Sequence, residues 1–139
     1  MSCAFCDIVA RRVAAWIVDE NGAAVAFLDH RPLLPGHVLV VPTTHYATLG
    51  DLPGDEVGPF FTVVQRLATA VERAFNADGA FVAANIRVSQ SVPHLHVHVV
   101  PRRKGDGLFS RNFVWQRRPY PNEQAIVEAQ QAIQAALRG

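Results

Sequence analysis

Residues His94–Val100 read His-Leu-His-Val-His-Val-Val and hold three of the chain's six histidines. On an extended strand successive side chains alternate between faces, which puts His94, His96 and His98 on one face and Leu95, Val97 and Val99 on the other. The apolar set can enter a core while the imidazole row looks outward. At about 3.3 Å per residue, neighbouring histidines stand roughly 6.6 Å apart and the outer two roughly 13 Å apart. Metal–ligand bonds are near 2 Å, so one ion fits all three poorly and the row is expected to divide its work. Two chemistries suit it. Cys3 and Cys6 form a Cys-x2-Cys pair that, with two histidines, would complete a tetrahedral Cys2His2 zinc site. Alternatively, a neutral imidazole can attack phosphorus and form a phospho-histidine that water later cleaves. An unperturbed pKa of about 6.5 lets imidazole do this at neutral pH without a strong base. Its neighbours need only fix the tautomer and stabilise phosphate charge.

The elements that must position these groups follow from pattern. Residues 3–12 read as a short helix or turn carrying the cysteines. Ala14–Val18 and Ala23–Asp29 read as strands joined by Asn21-Gly22, a hairpin signal because both residues tolerate positive φ. The prolines and glycine of Arg31–Gly36 predict a rigid turn, followed by a buried strand over His37–Pro42. The longest helical pattern, about Asp55–Phe75, places Val57, Phe60, Phe61, Val64, Leu67, Ala68 and Val71 on one wide apolar face. Strands over Ala80–Ile86 and His94–Pro101 come next. Beyond Pro101 the pattern is lost in a basic loop, residues 104–121. Asn122 is placed to cap a last helix, about Glu123–Leu137, whose thin apolar stripe suits weak packing or a partner subunit. Five strands with one long helix between the third and fourth predict an α+β fold: an antiparallel sheet covered by helices. Its free edge suggests pairing into a homodimer.

Composition narrows the partners. With 139 residues, 50% hydrophobic and 18% charged, the chain is expected to form one globular domain over 1–139. A net charge of +1 gives no general pull toward nucleic acid. The cluster of Arg102, Arg103, Lys104, Arg111, Arg117 and Arg118 reads as a solvated loop. No stretch of about 20 apolar residues could span a bilayer, and no secretory leader pattern is present. Two closely spaced cysteines do not make a secreted disulfide scaffold, so a reducing cytoplasm is the expected compartment. They could also be a redox pair or two idle thiols. A redox pair of the thioredoxin type would follow a strand, and none is predicted before Cys3.

The His94–Val100 segment resembles the His-φ-His-φ-His-φ-φ signature of the histidine triad (HIT) family of nucleotide-binding proteins. Gln90-Ser91-Val92, Asp29 and Pro35–Val40 extend the likeness, which covers roughly residues 3–103. The span from Asp29 to Phe75 is most similar to the fragile-histidine-triad hydrolases, and the Cys-x2-Cys to bacterial and Hint-type members. The resemblance implies that His96 attacks the α-phosphorus of an AMP-type substrate. His98 would contact the phosphate and leaving-group side, and His37 would lie beside the triad. Gln90 and Ser91 would bond the phosphate or leaving group, and Asp29 the ribose hydroxyls. Phe5, Ile8, Phe27 and Leu28 would wall the base pocket, or serve as ordinary core. Cys3, Cys6, His45 and His94 would hold a structural zinc. The family usually has Asn or Gln where this chain has Ala83; Asn85, two residues on, could take that role. Hydrolysis of nucleoside phosphoramidates or dinucleoside polyphosphates, a zinc-stapled nucleotide sensor and a nucleotidyl transferase using phosphate are all compatible.

Overall fold

The computed structural model describes residues 3–111 and 115–139. In chain order the elements are α1 (Ala4–Val9), β1 (Ile17–Glu20), β2 (Ala24–Leu28), β3 (Val38–Pro42), a 3-10 turn (Leu49–Asp51), α2 (Gly54–Phe75), β4 (Gly79–Ala83), β5 (Val97–Arg102) and α3 (Glu123–Arg138). The strands form one sheet in the order β1-β2-β3-β5-β4, antiparallel at every pairing. This is the expected α+β architecture, with the long helix between the third and fourth strands.

Alternation divides the sheet into two chemically different faces. Ala24, Ala26, Leu28, Val38, Val40, Val97 and Val99 point into the main core, where they meet Phe60, Val63, Val64 and Leu67 of α2. Val25, Phe27, Leu39 and Val41 point the other way and meet Phe5 of α1. Central strands that are apolar on both faces account for the continuous hydrophobic run in β3. α3 is an integral part of the main core rather than a weakly packed appendage. Its Ile126, Ala129 and Ile133 are buried there, and Gln130 and Gln134 both donate to the Ile17 carbonyl. The Asn122 side chain accepts from the Ala125 N–H and caps its first turn.

Several strand boundaries and the hairpin tip differ from the sequence expectation. β1 starts at Ile17, and a bulge between Ile17 and Asp19 shifts its register against β2. At the hairpin tip neither Asn21 nor Gly22 adopts a left-handed φ. Instead the Asn21 side chain accepts from the Ala23 and Ala24 N–H groups, closing the turn as an Asx motif. β4 ends at Ala83 and β5 begins at Val97, so His94 and His96 precede the paired strand. The β3 ladder stops near Pro42, which has no N–H to offer, and the Leu95 N–H goes to the Tyr46 carbonyl instead.

The turn that delivers His37 depends on Gly36. Its φ is +92°, and a Cβ there would lie 2.4 Å from the Phe75 ring. Gly36→Ala therefore combines left-handed strain with a clash against the end of α2. We expect it to lose about 2–4 kcal/mol of stability in urea unfolding. An unchanged urea midpoint would contradict this packing.

Candidate functional site

The triad lies on the face turned away from α2 and α3, but it does not look out into solvent. His94, His96 and His98 are 0%, 4% and 3% exposed. α1 covers His94 and His96, with Phe5 edge-on to them at centroid distances of 6.0 and 5.0 Å, and His98 packs against His37. Alternation correctly separates the histidines from Leu95, Val97 and Val99; what it leaves out is the short helix on top.

Hydrogen bonds assign the ring nitrogens. His96 Nδ1 is 2.8 Å from the His94 carbonyl oxygen, which can only accept, so Nδ1 carries the proton and Nε2 keeps its lone pair. The Leu33 N–H donates to His37 Nδ1 at 3.0 Å, which places the His37 proton on Nε2. That N–H donates to His98 Nδ1 at 2.9 Å, leaving Nε2 as the protonated nitrogen of His98. The chain from Leu33 to His98 thus sets one imidazole as a donor beside another that is a free base. Burial drives both His37 and His98 down to about 3, with Arg117 adding to the shift at His37 and His37 adding to it at His98. Burial also lowers His94 and His96, opposed at each by the carbonyl it bonds. The accepting nitrogens of His37 and His98 require both rings to be neutral, and burial favours the neutral form of His94 and His96 as well.

His94 faces a different group. Cys3, Cys6, His45 and His94 bring four ligand atoms within 4.8 Å of one another. Cys3 Sγ and Cys6 Sγ each lie 3.5 Å from His94 Nδ1, and Cys6 Sγ is 3.1 Å from His45 Nδ1. Tetrahedral Zn–S and Zn–N bonds of about 2.3 and 2.1 Å require S···N separations of roughly 3.6 Å, close to those observed. His94 Nε2 donates to the Pro42 carbonyl at 3.1 Å, which turns Nδ1 toward the thiols as a lone pair. A metal-ligating imidazole is typically fixed in this way. The donor set therefore fits a divalent, thiolate-seeking ion such as zinc.

Beside the triad opens a cavity of about 760 Å³. Phe5, Ile8 and Phe27 wall its apolar part, Leu28 borders it although its side chain enters the main core on the opposite face of the sheet, and Asp29, Ser91, His96 and His98 lie on its polar side. Gln90 and Asn85 do not line it. Gln90 donates to the Ala47 carbonyl and accepts from the Arg87 N–H, while Asn85 donates to the Ser89 carbonyl. Both brace the loop after β4, which ends two residues too early to carry Asn85 on a strand face. His37 is fully buried behind His98 and touches the cavity only through it.

Two contributors come from the basic segment that composition alone reads as a solvated loop. The Trp115 ring meets His98 edge-on at 4.9 Å. Arg117 Nη1 donates to Asp29 Oδ2 at 2.5 Å and to the Arg31 carbonyl at 2.8 Å, and its side chain lines the cavity. A cation and an aromatic in a stretch without periodicity carry no signal of where the chain will fold back.

A sheet backed by two helices, with a buried imidazole row beside a cavity, defines a histidine-row α+β class of protein. Residues 11–105 match the HIT domain family, and the chain belongs to that family. It is 37% identical to an uncharacterized HIT-like protein of Saccharolobus solfataricus, over 97% of this chain and 94% of that one. It is 38% identical to the asymmetrical bis(5'-nucleosyl)-tetraphosphatase of Schizosaccharomyces pombe, over 72% of this chain and 55% of that one. Among solved structures, a Zn-bound histidine triad family protein from Mycobacterium smegmatis superposes with a TM-score of 0.85 at 37% identity, covering 99% and 94% of the two chains. No helix among the described residues is long and apolar enough to cross a membrane.

Proposed function

We propose that this protein binds a purine nucleotide of the AMP type and cleaves it from its leaving group through a covalent nucleotidyl-histidine at His96. The observation that carries the reading is the 2.8 Å bond from His96 Nδ1 to the His94 carbonyl, which leaves Nε2 as a lone pair at the cavity wall. That lone pair attacks the α-phosphorus, and the bond to the leaving group breaks with its electron pair, a leaving nitrogen taking up a proton from solvent. The imidazolium formed keeps its Nδ1 proton on the His94 carbonyl. His98, held as a donor by His37, bonds a phosphate oxygen where negative charge accumulates, and Ser91, which lines the same cavity, supplies a further hydroxyl donor. Water then attacks phosphorus and gives up a proton to solvent, the P–N bond to His96 breaks with its electron pair returning to Nε2, and AMP leaves with the imidazole restored. Asp29 takes the ribose hydroxyls, and Phe5, Ile8 and Phe27 hold the base. Gln90 and Asn85 enter this reading only as residues that shape the loop next to Ser91.

Cys3, Cys6, His45 and His94 would hold zinc as a structural ion, with four protein ligands and no position open to substrate. It would tie the N-terminal turn, and with it Phe5, to the sheet. The M. smegmatis neighbour's zinc supports that part, and the name of the S. pombe relative supports dinucleoside polyphosphates as one substrate class. A second copy pairing along the outer strand β4, where Val82 is 44% exposed, belongs to the same reading.

The test is a turnover panel of adenosine phosphoramidates and diadenosine polyphosphates, each with and without inorganic phosphate. We expect AMP as the product of at least one class without added phosphate. ADP appearing only with phosphate would make the protein a transferase. Tight AMP binding with no turnover of any member would make it a binding module.

A further inference from the structure

The family match ends at residue 105, yet the chain returns to the site beyond it. Between Trp115 and Tyr120 it is pinned along the turn that precedes β3. The Arg118 N–H donates to the Pro32 carbonyl at 2.7 Å, and the Tyr120 hydroxyl accepts from the Gly36 N–H at 2.9 Å. Arg117 sits within this strap with its guanidinium on Asp29. An ionised carboxylate has four lone-pair sites, two on each oxygen. Oδ1 accepts from the Arg31 N–H at 2.9 Å, and Oδ2 accepts from Arg117. Among the described residues, one acceptor site per oxygen is thereby filled by the protein and one per oxygen is left. Two remaining acceptors are what a ribose cis-diol, with its two hydroxyl donors, requires.

Resting on the nucleotide reading above, we propose that Arg117 is a positioning residue for sugar recognition, selecting ribonucleotides over 2'-deoxyribonucleotides by locking the Asp29 carboxylate. Asp29 is only 8% exposed and lines the cavity, so a fixed rotamer presents its free acceptors in one direction. Arg117 is itself tied to the Arg31 carbonyl, so the guanidinium is held at two points before any ligand arrives. Removing it frees the carboxylate to turn, and the second hydroxyl bond, which only a ribonucleotide makes, is lost first. Phosphate contacts, made by other residues, should be spared.

The experiment is calorimetric binding of AMP and of 2'-dAMP to wild type, Arg117→Ala, Arg117→Gln and Arg117→Lys, with thermal melts as the folding control. Wild type should prefer AMP. Arg117→Ala should lose about tenfold in AMP affinity with little change for 2'-dAMP, so that the preference collapses. Arg117→Lys, which keeps the charge without the fork, should recover part of it. If Arg117→Ala does not fold, Arg117→Gln, which keeps a donor and most of the stem, carries the same expectation in weaker form. An unchanged ratio, equal losses for the two nucleotides, or a wild type that does not discriminate would each overturn the proposal. A preserved preference with an unchanged ratio leaves the nucleotide reading intact; a wild type that binds neither nucleotide ends both.

Discussion

His96→Ala is expected to fold, to bind AMP at close to wild-type affinity, and to lose turnover by about 10⁴-fold or more. The size follows from its position in the scheme. Without the Nε2 lone pair there is no nucleophile, and no neighbouring ring can replace it. His98 Nδ1 is occupied by His37, and His94 Nδ1 by the cysteine cluster. The other histidines should rank below it. His98→Ala removes one donor to the phosphate, which in comparable sites costs about 10²–10³-fold. His37→Ala acts through His98: it deletes the donor that sets the tautomer and strands the buried Leu33 N–H, so stability should fall together with rate. Single-turnover kinetics with intact-mass detection of the nucleotidyl adduct checks this order. Wild-type turnover in His96→Ala, or an adduct mapped to another residue, would end the assignment.

Loss of the metal should be the largest stability effect. An ion present at a thousandfold over its Kd stabilises a fold by about 4 kcal/mol, and a chain of this size shifts by roughly 2–4 °C per kcal/mol. A melting point lowered by about 10 °C on chelation is the expectation. His45→Ala is the cleanest variant, because His45 is exposed while His94 is fully buried. It should reproduce the chelator's effect and make further chelator harmless. Cys3→Ser should behave in the same way. The chemistry should suffer less than the fold, since the four ligands leave His96 Nε2 untouched; what is lost is the anchoring of α1 and of Phe5 against the triad. Purified protein without stoichiometric zinc, or a melting point indifferent to chelation, would contradict the site.

Local pattern made much of this architecture readable. The apolar runs of β2 and β3, the period-two alternation over His94–Val99 and the wide apolar face of α2 are properties of short stretches, and the structure keeps them. Boundaries read less well, because pairing partners decide them. β5 begins at Val97 only because Pro42 ends the facing ladder, and the tip at Asn21 closes by a side-chain bond that the dipeptide Asn-Gly does not specify.

The site divides in the same way. The sequence alone indicated that three imidazoles share a face, that one ion fits all three poorly, and that Cys3 and Cys6 could complete a zinc site with two histidines. Only the tertiary structure decided which nitrogen of each ring is free. Those assignments run through the carbonyls of His94 and Pro42 and the N–H of Leu33, backbone groups whose aim depends on the whole fold. It alone brought Arg117 onto Asp29 and Trp115 onto His98. The first of these contacts joins residues 88 positions apart. Periodicity reports what a residue's near neighbours demand; a loop with no period carries no such demand, and its place is set by what it meets when the chain closes.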